Sequence, residues 1–153
     1  MTRHYEDFAV GDTFRFGSYH VTEEEIIEVG KMFDPQPFHV DPEAAAESIF
    51  GGLVASGVHS LGISTRLSVA EFFQADPGVA NLGGLGMDDV RFHAPVRPGD
   101  TLTCELEVLD TRPSESRDDR GYVDFDRRLF NQDDEKVLSV TLHNIVAREA
   151  AES

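Results

Sequence analysis

The chain holds one cysteine, Cys104, so neither an intramolecular disulfide nor a multi-thiolate metal site can be built from it. Positive charge is scarce: 13 Lys and Arg stand against 29 Asp and Glu, a formal net charge of −16. Such a field repels phosphate backbones and anionic lipid, which argues against nucleic acid or a membrane surface as partner. Nowhere do about 18 uncharged apolar residues follow one another, so no membrane-spanning helix is expected. The opening Met1-Thr2-Arg3-His4-Tyr5-Glu6-Asp7 lacks the apolar run of a secretory signal, and the expected location is the cytoplasm. Repeats and low-complexity linkers are missing as well, and tryptophan is absent.

What is present fits one globular unit. A hydrophobic content of 40% and a charged content of 27% are ordinary for a folded domain. At 153 residues, area scaling gives roughly 7,700 Å² folded against about 24,500 Å² unfolded, enough burial for a core without staples. Residues 1–153 are therefore read as one domain with a short flexible tail after about 148. The acidic excess reads as a solvated surface or as adaptation to a salty medium that screens self-repulsion.

Arg15 to Val21, with Phe16, Tyr19 and Val21, reads as an early strand. Thr22-Glu23-Glu24-Glu25 is a capping-box signature, followed by Ile26, Ile27, Gly30 and Phe33 at helical spacing until Pro35 stops the run. Asp41-Pro42-Glu43 starts a second short helix, expected to end at Gly51-Gly52. A long helix is predicted from about Ser56 to Phe73, with Val58, Leu61, Thr65, Val69 and Phe72 as its buried stripe. After Asn81 the patterns turn to strands. Leu102, Cys104, Leu106 and Val108 alternate with polar residues, and Tyr122 to Phe130 and Val137 to Val146 follow, parted by polar turns. The sum is a small α+β domain, a mostly antiparallel sheet of about five or six strands with one face covered by a central helix.

The stretch Phe33-Asp34-Pro35-Gln36-Pro37-Phe38-His39-Val40-Asp41 lies between two helices and is stiffened by its prolines. A carboxylate and an imidazole held this way, Asp34 and His39, provide an acceptor and a switchable donor able to orient and activate a water. The plainer reading makes Asp34 a turn cap and His39 a satisfied loop histidine, while Asp41 is the helix N-cap. Gly51-Gly52-Leu53-Val54-Ala55-Ser56-Gly57-Val58 leads into the long helix, whose first-turn amides lack internal acceptors. Gly57 has no side chain, so an acyl carbonyl could approach its N–H and an enolate oxygen could be held there; glycine for helix packing explains it equally. Ser56 reads as an N-cap rather than a nucleophile. His59, His93 and His143 sit in helix or strand patterns without metal-ligand spacing.

Together these residues resemble the MaoC-like hydratase/dehydratase family, which includes R-specific enoyl-CoA hydratases. The family motif, Asp-any-Asn-Pro-apolar-His-any-Asp, is similar to Asp34-Pro35-Gln36-Pro37-Phe38-His39-Val40-Asp41, with Gln36 in place of Asn. A second element, Ala or Val followed by His, Gly and an apolar residue, resembles Ala55-Ser56-Gly57-Val58, with Ser56 where His is usual. Val90-Arg91-Phe92-His93-Ala94-Pro95-Val96-Arg97-Pro98-Gly99-Asp100 resembles a third, and the likeness runs from Tyr5 to about Val146.

The resemblance implies a hot-dog fold, an antiparallel sheet wrapping a central helix, and pairing of two protomers into a homodimer or a higher homo-oligomer. It implies an acyl-CoA thioester as substrate, with Asp34 and His39 holding the attacking water and Gly57 receiving the thioester oxygen. Gln36, Phe38, Ser56 and Thr65 would line the substrate, Thr65 by a water-binding hydroxyl two turns into the helix. The activity so implied is reversible hydration of a 2-enoyl-CoA to a 3-hydroxyacyl-CoA of R configuration. No metal and no separate cofactor is called for, since CoA is part of the substrate. Its phosphates would need a local cationic rim, for which Arg66, Arg91 and Arg97 are candidates. A hot-dog thioesterase and a non-catalytic acyl-CoA-binding protein are the alternatives.

Overall fold

A computed structural model describes residues 1–149. The chain opens with a single 3₁₀ turn at Tyr5–Asp7 and then strand β1, Thr13–His20. Helix α1, Glu23–Phe33, starts where the sequence says it should, because the Thr22 hydroxyl accepts the Glu25 N–H at 3.1 Å. Two short helices follow, α2 at Pro37–Val40 and α3 at Pro42–Ala46, then α4 at Gly57–Ser68 and a π-helical turn at Val69–Phe73. Strands β2 (Asn81–Phe92), β3 (Thr101–Pro113), β4 (Arg120–Phe130) and β5 (Lys136–Ala147) complete the chain.

The five strands form one antiparallel sheet in the order β1-β3-β4-β5-β2. Alternation decides which residues face inward: Leu102, Cys104, Leu106 and Val108 of β3 are fully buried, as their period of two requires. Helix α4 lies across that inner face, the hot-dog arrangement. Under it, Ile26, Leu53, Ile63, Leu67, Leu129 and Leu138 close one half of the core. Phe72 and Phe73 close the other half with Phe8, Phe125, Val140 and Leu142, in edge-to-face pairs such as Phe8–Phe125.

Four details depart from the sequence reading. The buried face of α4 is His59, Ser60, Ile63, Ser64, Leu67 and Ser68, whereas Val58 and Val69 are 54% and 37% exposed. Small hydroxyl residues let the helix settle close into the curved sheet, so steric fit prevailed over the apolar stripe. The helix also changes winding at Val69, and the hydrogen bond from Gln74 N–H to the Val69 carbonyl marks the wider turn. The second short helix ends at Ala46 rather than at the glycines, and residues 47–52 run on as turns. The region between Phe33 and Asp41 contains a helical turn of its own, α2, with Pro37 in its first position. The flexible tail expected after about residue 148 falls largely on 150–153, outside the described residues; Arg148 and Glu149 are bonded to Asp119 and Glu6.

Candidate active site

Asp34 caps the C-terminus of α1, its N–H donating to the Gly30 carbonyl at 2.8 Å. His39 sits on α2, one short connection later. The two elements approach closely because Gly30 has no side chain: a Cβ there would lie 3.0 Å from His39 Cβ, from the His39 carbonyl oxygen and from Val40 Cγ1. The result is a carboxylate–imidazole pair, with Asp34 Oδ2 3.3 Å from His39 Nε2.

Each partner is oriented by further bonds. His39 is 5% exposed, and its Nδ1 lies 2.7 Å from the Val54 carbonyl oxygen. A carbonyl can only accept, so Nδ1 carries a proton and Nε2 is the ring nitrogen turned toward Asp34. Asp34 accepts from Gln36 Nε2 at 2.7 Å and from the Ser56 hydroxyl at 2.8 Å, and these two bonds hold its carboxyl below the usual range. Gln36 thus acts on Asp34. Ser56 has two tasks, because the same hydroxyl accepts the Val58 N–H at 3.2 Å as the N-cap of α4.

Gly57 is the first residue of α4, where helix geometry supplies no acceptor for the amide. The Phe92 ring lies directly against it, so that a Cβ at Gly57 would overlap the ring. Asp34, Gln36, Phe38, His39, Gly57 and Phe92 all line one cavity of about 470 Å³. Phe38 packs edge-on against His39, with ring centroids 4.6 Å apart, and meets Phe50 at 5.3 Å. Those rings give the cavity an apolar wall beside His39.

Thr65 is not brought to this cavity. Its hydroxyl donates to the Leu61 carbonyl at 3.2 Å and accepts from Arg127 at 3.0 Å, two turns further along α4. Ser60, one turn after Gly57, lines the cavity. His93 also lines it, with Nε2 2.7 Å from Ser139 Oγ; its place in the Phe92-His93-Ala94-Pro95 pattern was the available signal. His59 lies on the other flank of α4, with Nε2 3.3 Å from Glu25 Oε2, and burial pushes its pKa down. Of the three rim arginines, Arg97 reaches the cavity loop by donating to the Phe50 carbonyl at 2.8 Å. Arg91 is paired with Asp89, and Arg66 borders a different groove.

A sheet wrapped on one helix, with a carboxylate and an imidazole lining the same cavity as the helix's first residue, defines a hot-dog protein of the hydratase/dehydratase type. The family model described as "MaoC like domain" matches residues 7–124, and the chain belongs to that family. Among curated proteins it is 34% identical to the uncharacterized protein YdeM of Bacillus subtilis over 143 residues, covering 94% of this chain and 98% of that one. Among solved structures it is similar to the MaoC-like dehydratase from Rhodospirillum rubrum, at 39% identity and TM-score 0.87, covering 97% of this chain and 99% of that one. It is also similar to the R-hydratase PhaJ1 from Pseudomonas aeruginosa, at 28% identity and TM-score 0.72, covering 98% and 92%.

Proposed function

We propose that the protein catalyses the reversible hydration of a 2-enoyl-CoA to an (R)-3-hydroxyacyl-CoA. The observation that carries this reading is the convergence of Asp34, His39 and Gly57 on one cavity. A water on the cavity side of the pair, within reach of Asp34 Oδ2 and His39 Nε2, is oriented by both. As its oxygen bonds to C3 of the substrate, His39 Nε2 takes a proton and Asp34 holds the resulting imidazolium. The C2–C3 π pair moves toward the thioester, and the negative charge on the carbonyl oxygen is received by the Gly57 N–H. A proton returned from the dyad to C2 completes the addition of H and OH; dehydration is the same path reversed. Arg97, on the loop that closes the cavity, is the cation we assign to the CoA phosphates.

The assembly we read is a homodimer. Among the described residues β2 pairs with β5 alone, and it exposes Leu82, Leu85, Met87 and Phe92. A twelve-residue edge strand with such side chains calls for a cover. Sedimentation should give twice the chain mass, and a monomer at micromolar concentration would refute the pairing.

The activity is tested with a 2-enoyl-CoA in two optical channels. Loss of enoyl absorbance without release of free thiol is expected. Thiol release in its place would make the protein a thioesterase, and binding without either signal would make it a non-catalytic carrier.

A further inference from the structure

Ser56, Ser60, Ser64 and Ser68 recur every four residues along the buried side of α4, and three of them are bonded within the protein. Ser56 holds Asp34 and caps the helix, Ser64 donates to the Leu61 carbonyl at 2.6 Å, and Ser68 donates to the Ser64 carbonyl at 2.9 Å. Ser68 and Thr65 also accept from the buried Arg127, which has no carboxylate within ion-pair distance among the described residues. Ser60 differs. It is 4% exposed, yet its hydroxyl makes no hydrogen bond among the described residues, although a helical serine can donate back along the chain as Ser64 does. Nor is that oxygen sealed in the core, as the ring nitrogens of His59 and the Nε of Arg127 are. Ser60 lines the cavity that Asp34, His39 and Gly57 also line, and its free hydroxyl opens there. A polar group so nearly buried is costly without a partner, and an occupant of the cavity is what would complete it.

The Gly57 N–H likewise has no acceptor among the described residues, whereas the next amide, that of Val58, is taken by Ser56 Oγ at 3.2 Å. Residues three apart on a helix share a face, so Gly57 and Ser60 are neighbours. The rise between them is about 4.5 Å, and the Cα–Cβ bond leans toward the helix N-terminus, which carries the Ser60 hydroxyl back toward the Gly57 amide. Two donors less than about 6 Å apart can each reach a single oxygen at about 3 Å. A carbonyl oxygen has two lone pairs, and the Gly57 N–H fills one of them.

We infer that the Ser60 hydroxyl is a second donor to the thioester oxygen, a catalytic residue that completes the oxyanion site begun by the Gly57 N–H. The inference rests on the hydratase reading for the placement of the thioester at Gly57. As the water oxygen bonds to C3, the C2–C3 π pair moves to C1–C2 and the carbonyl pair moves onto oxygen. Ser60 strengthens its hydrogen bond to that oxygen and keeps its proton. When C2 takes its proton from the dyad, the carbonyl re-forms and the serine is unchanged. Ser60 is therefore neither nucleophile nor base, and its bond is worth more to the enolate than to the bound substrate.

The test replaces Ser60 by alanine. Ser60→Ala should lower kcat for 2-hexenoyl-CoA about 10- to 100-fold, less than the loss of a sole donor because Gly57 remains, with KM changed less than about threefold. Its melting temperature should not fall, since no bond within the protein is lost and alanine favours the helix. The decisive readout is the infrared stretch of the thioester carbonyl in bound hexanoyl-CoA, a saturated probe that cannot be hydrated. Each donor weakens the C=O bond, so the stretch should lie at higher frequency in Ser60→Ala than in the parent. Ser60→Cys, whose thiol is a weak donor, should fall between them in rate and in stretch, and it serves if the alanine variant does not fold. An unchanged stretch overturns the assignment: with kcat lowered it places the hydroxyl on the water instead, and with kcat kept it leaves the serine no catalytic part. A raised KM at parental kcat overturns it as well, and so does a probe that does not bind. If the parent hydrates no enoyl-CoA, the hydratase reading falls, while the stretch still decides whether Ser60 donates to the thioester oxygen.

Discussion

Replacing Ser56 by alanine removes one hydroxyl with two roles, and both consequences can be measured. The hydroxyl is fully buried; it caps α4 through the Val58 N–H at 3.2 Å and donates to Asp34 Oδ2 at 2.8 Å. Loss of an N-cap costs about 1 kcal/mol. The bond to a carboxylate adds about another 1 kcal/mol, at the low end for a charged acceptor because the Asp34 side chain is one-quarter exposed and water can replace part of it. Together, about 2 kcal/mol should lower the melting temperature by roughly 4–8 °C for a domain of this length. Asp34 loses one of the two bonds that hold its carboxyl low, so its pKa should rise and the acid limb of the hydration rate should move to higher pH. Ser56→Thr should restore both properties, since its hydroxyl can make the same bonds. Thermal unfolding and a pH–rate profile for the three proteins suffice. An alanine variant that melts like the parent and keeps its acid limb would refute the claim that Ser56 positions Asp34.

Asp34→Asn and His39→Ala should each cut turnover at least about a hundredfold while circular dichroism stays native, and near-parental hydration by either removes that residue from the mechanism. Gly57→Ala forces the exposed Phe92 ring aside and crowds the oxyanion position. Turnover should drop at least about tenfold with only a small change in melting temperature, and unchanged turnover would count against the donor. His143 lies between Asp124 Oδ1 at 2.8 Å and Asp88 Oδ2 at 2.6 Å, and these bonds raise its pKa. A raised folded-state pKa gives stability that is complete below the ordinary value of about 6.5 and fades as pH climbs through the folded value. Melting temperature should therefore fall above about pH 6.5 in the parent and less steeply in His143→Gln; parallel curves would exclude the clip.

Much of the fold was legible because its signals are local. Thr22 as a cap, Asp41 with Pro42, and the alternation from Leu102 to Val108 each follow from the geometry of one element. The buried face of α4 was not legible, because serine and histidine there are buried by the shape of the sheet rather than by their own hydropathy. Arg127 shows the same limit from the other side. Its inward direction could be counted from Val123 and Phe125, but the absence of a counter-charge is a fact about four other strands and a helix.

By itself the sequence determined the order of elements, the acid and imidazole five positions apart, and the glycine that opens the central helix, since these depend on neighbours along the chain. Only the tertiary structure decided that Gln36 and Ser56 hold the carboxylate, that Thr65 stands apart from the cavity, and that a cation lies sealed beneath α4. The reason is physical. Dihedral preferences and caps act over one turn or one strand, whereas desolvation and hydrogen-bond satisfaction are settled by whichever distant segments the packing brings into contact.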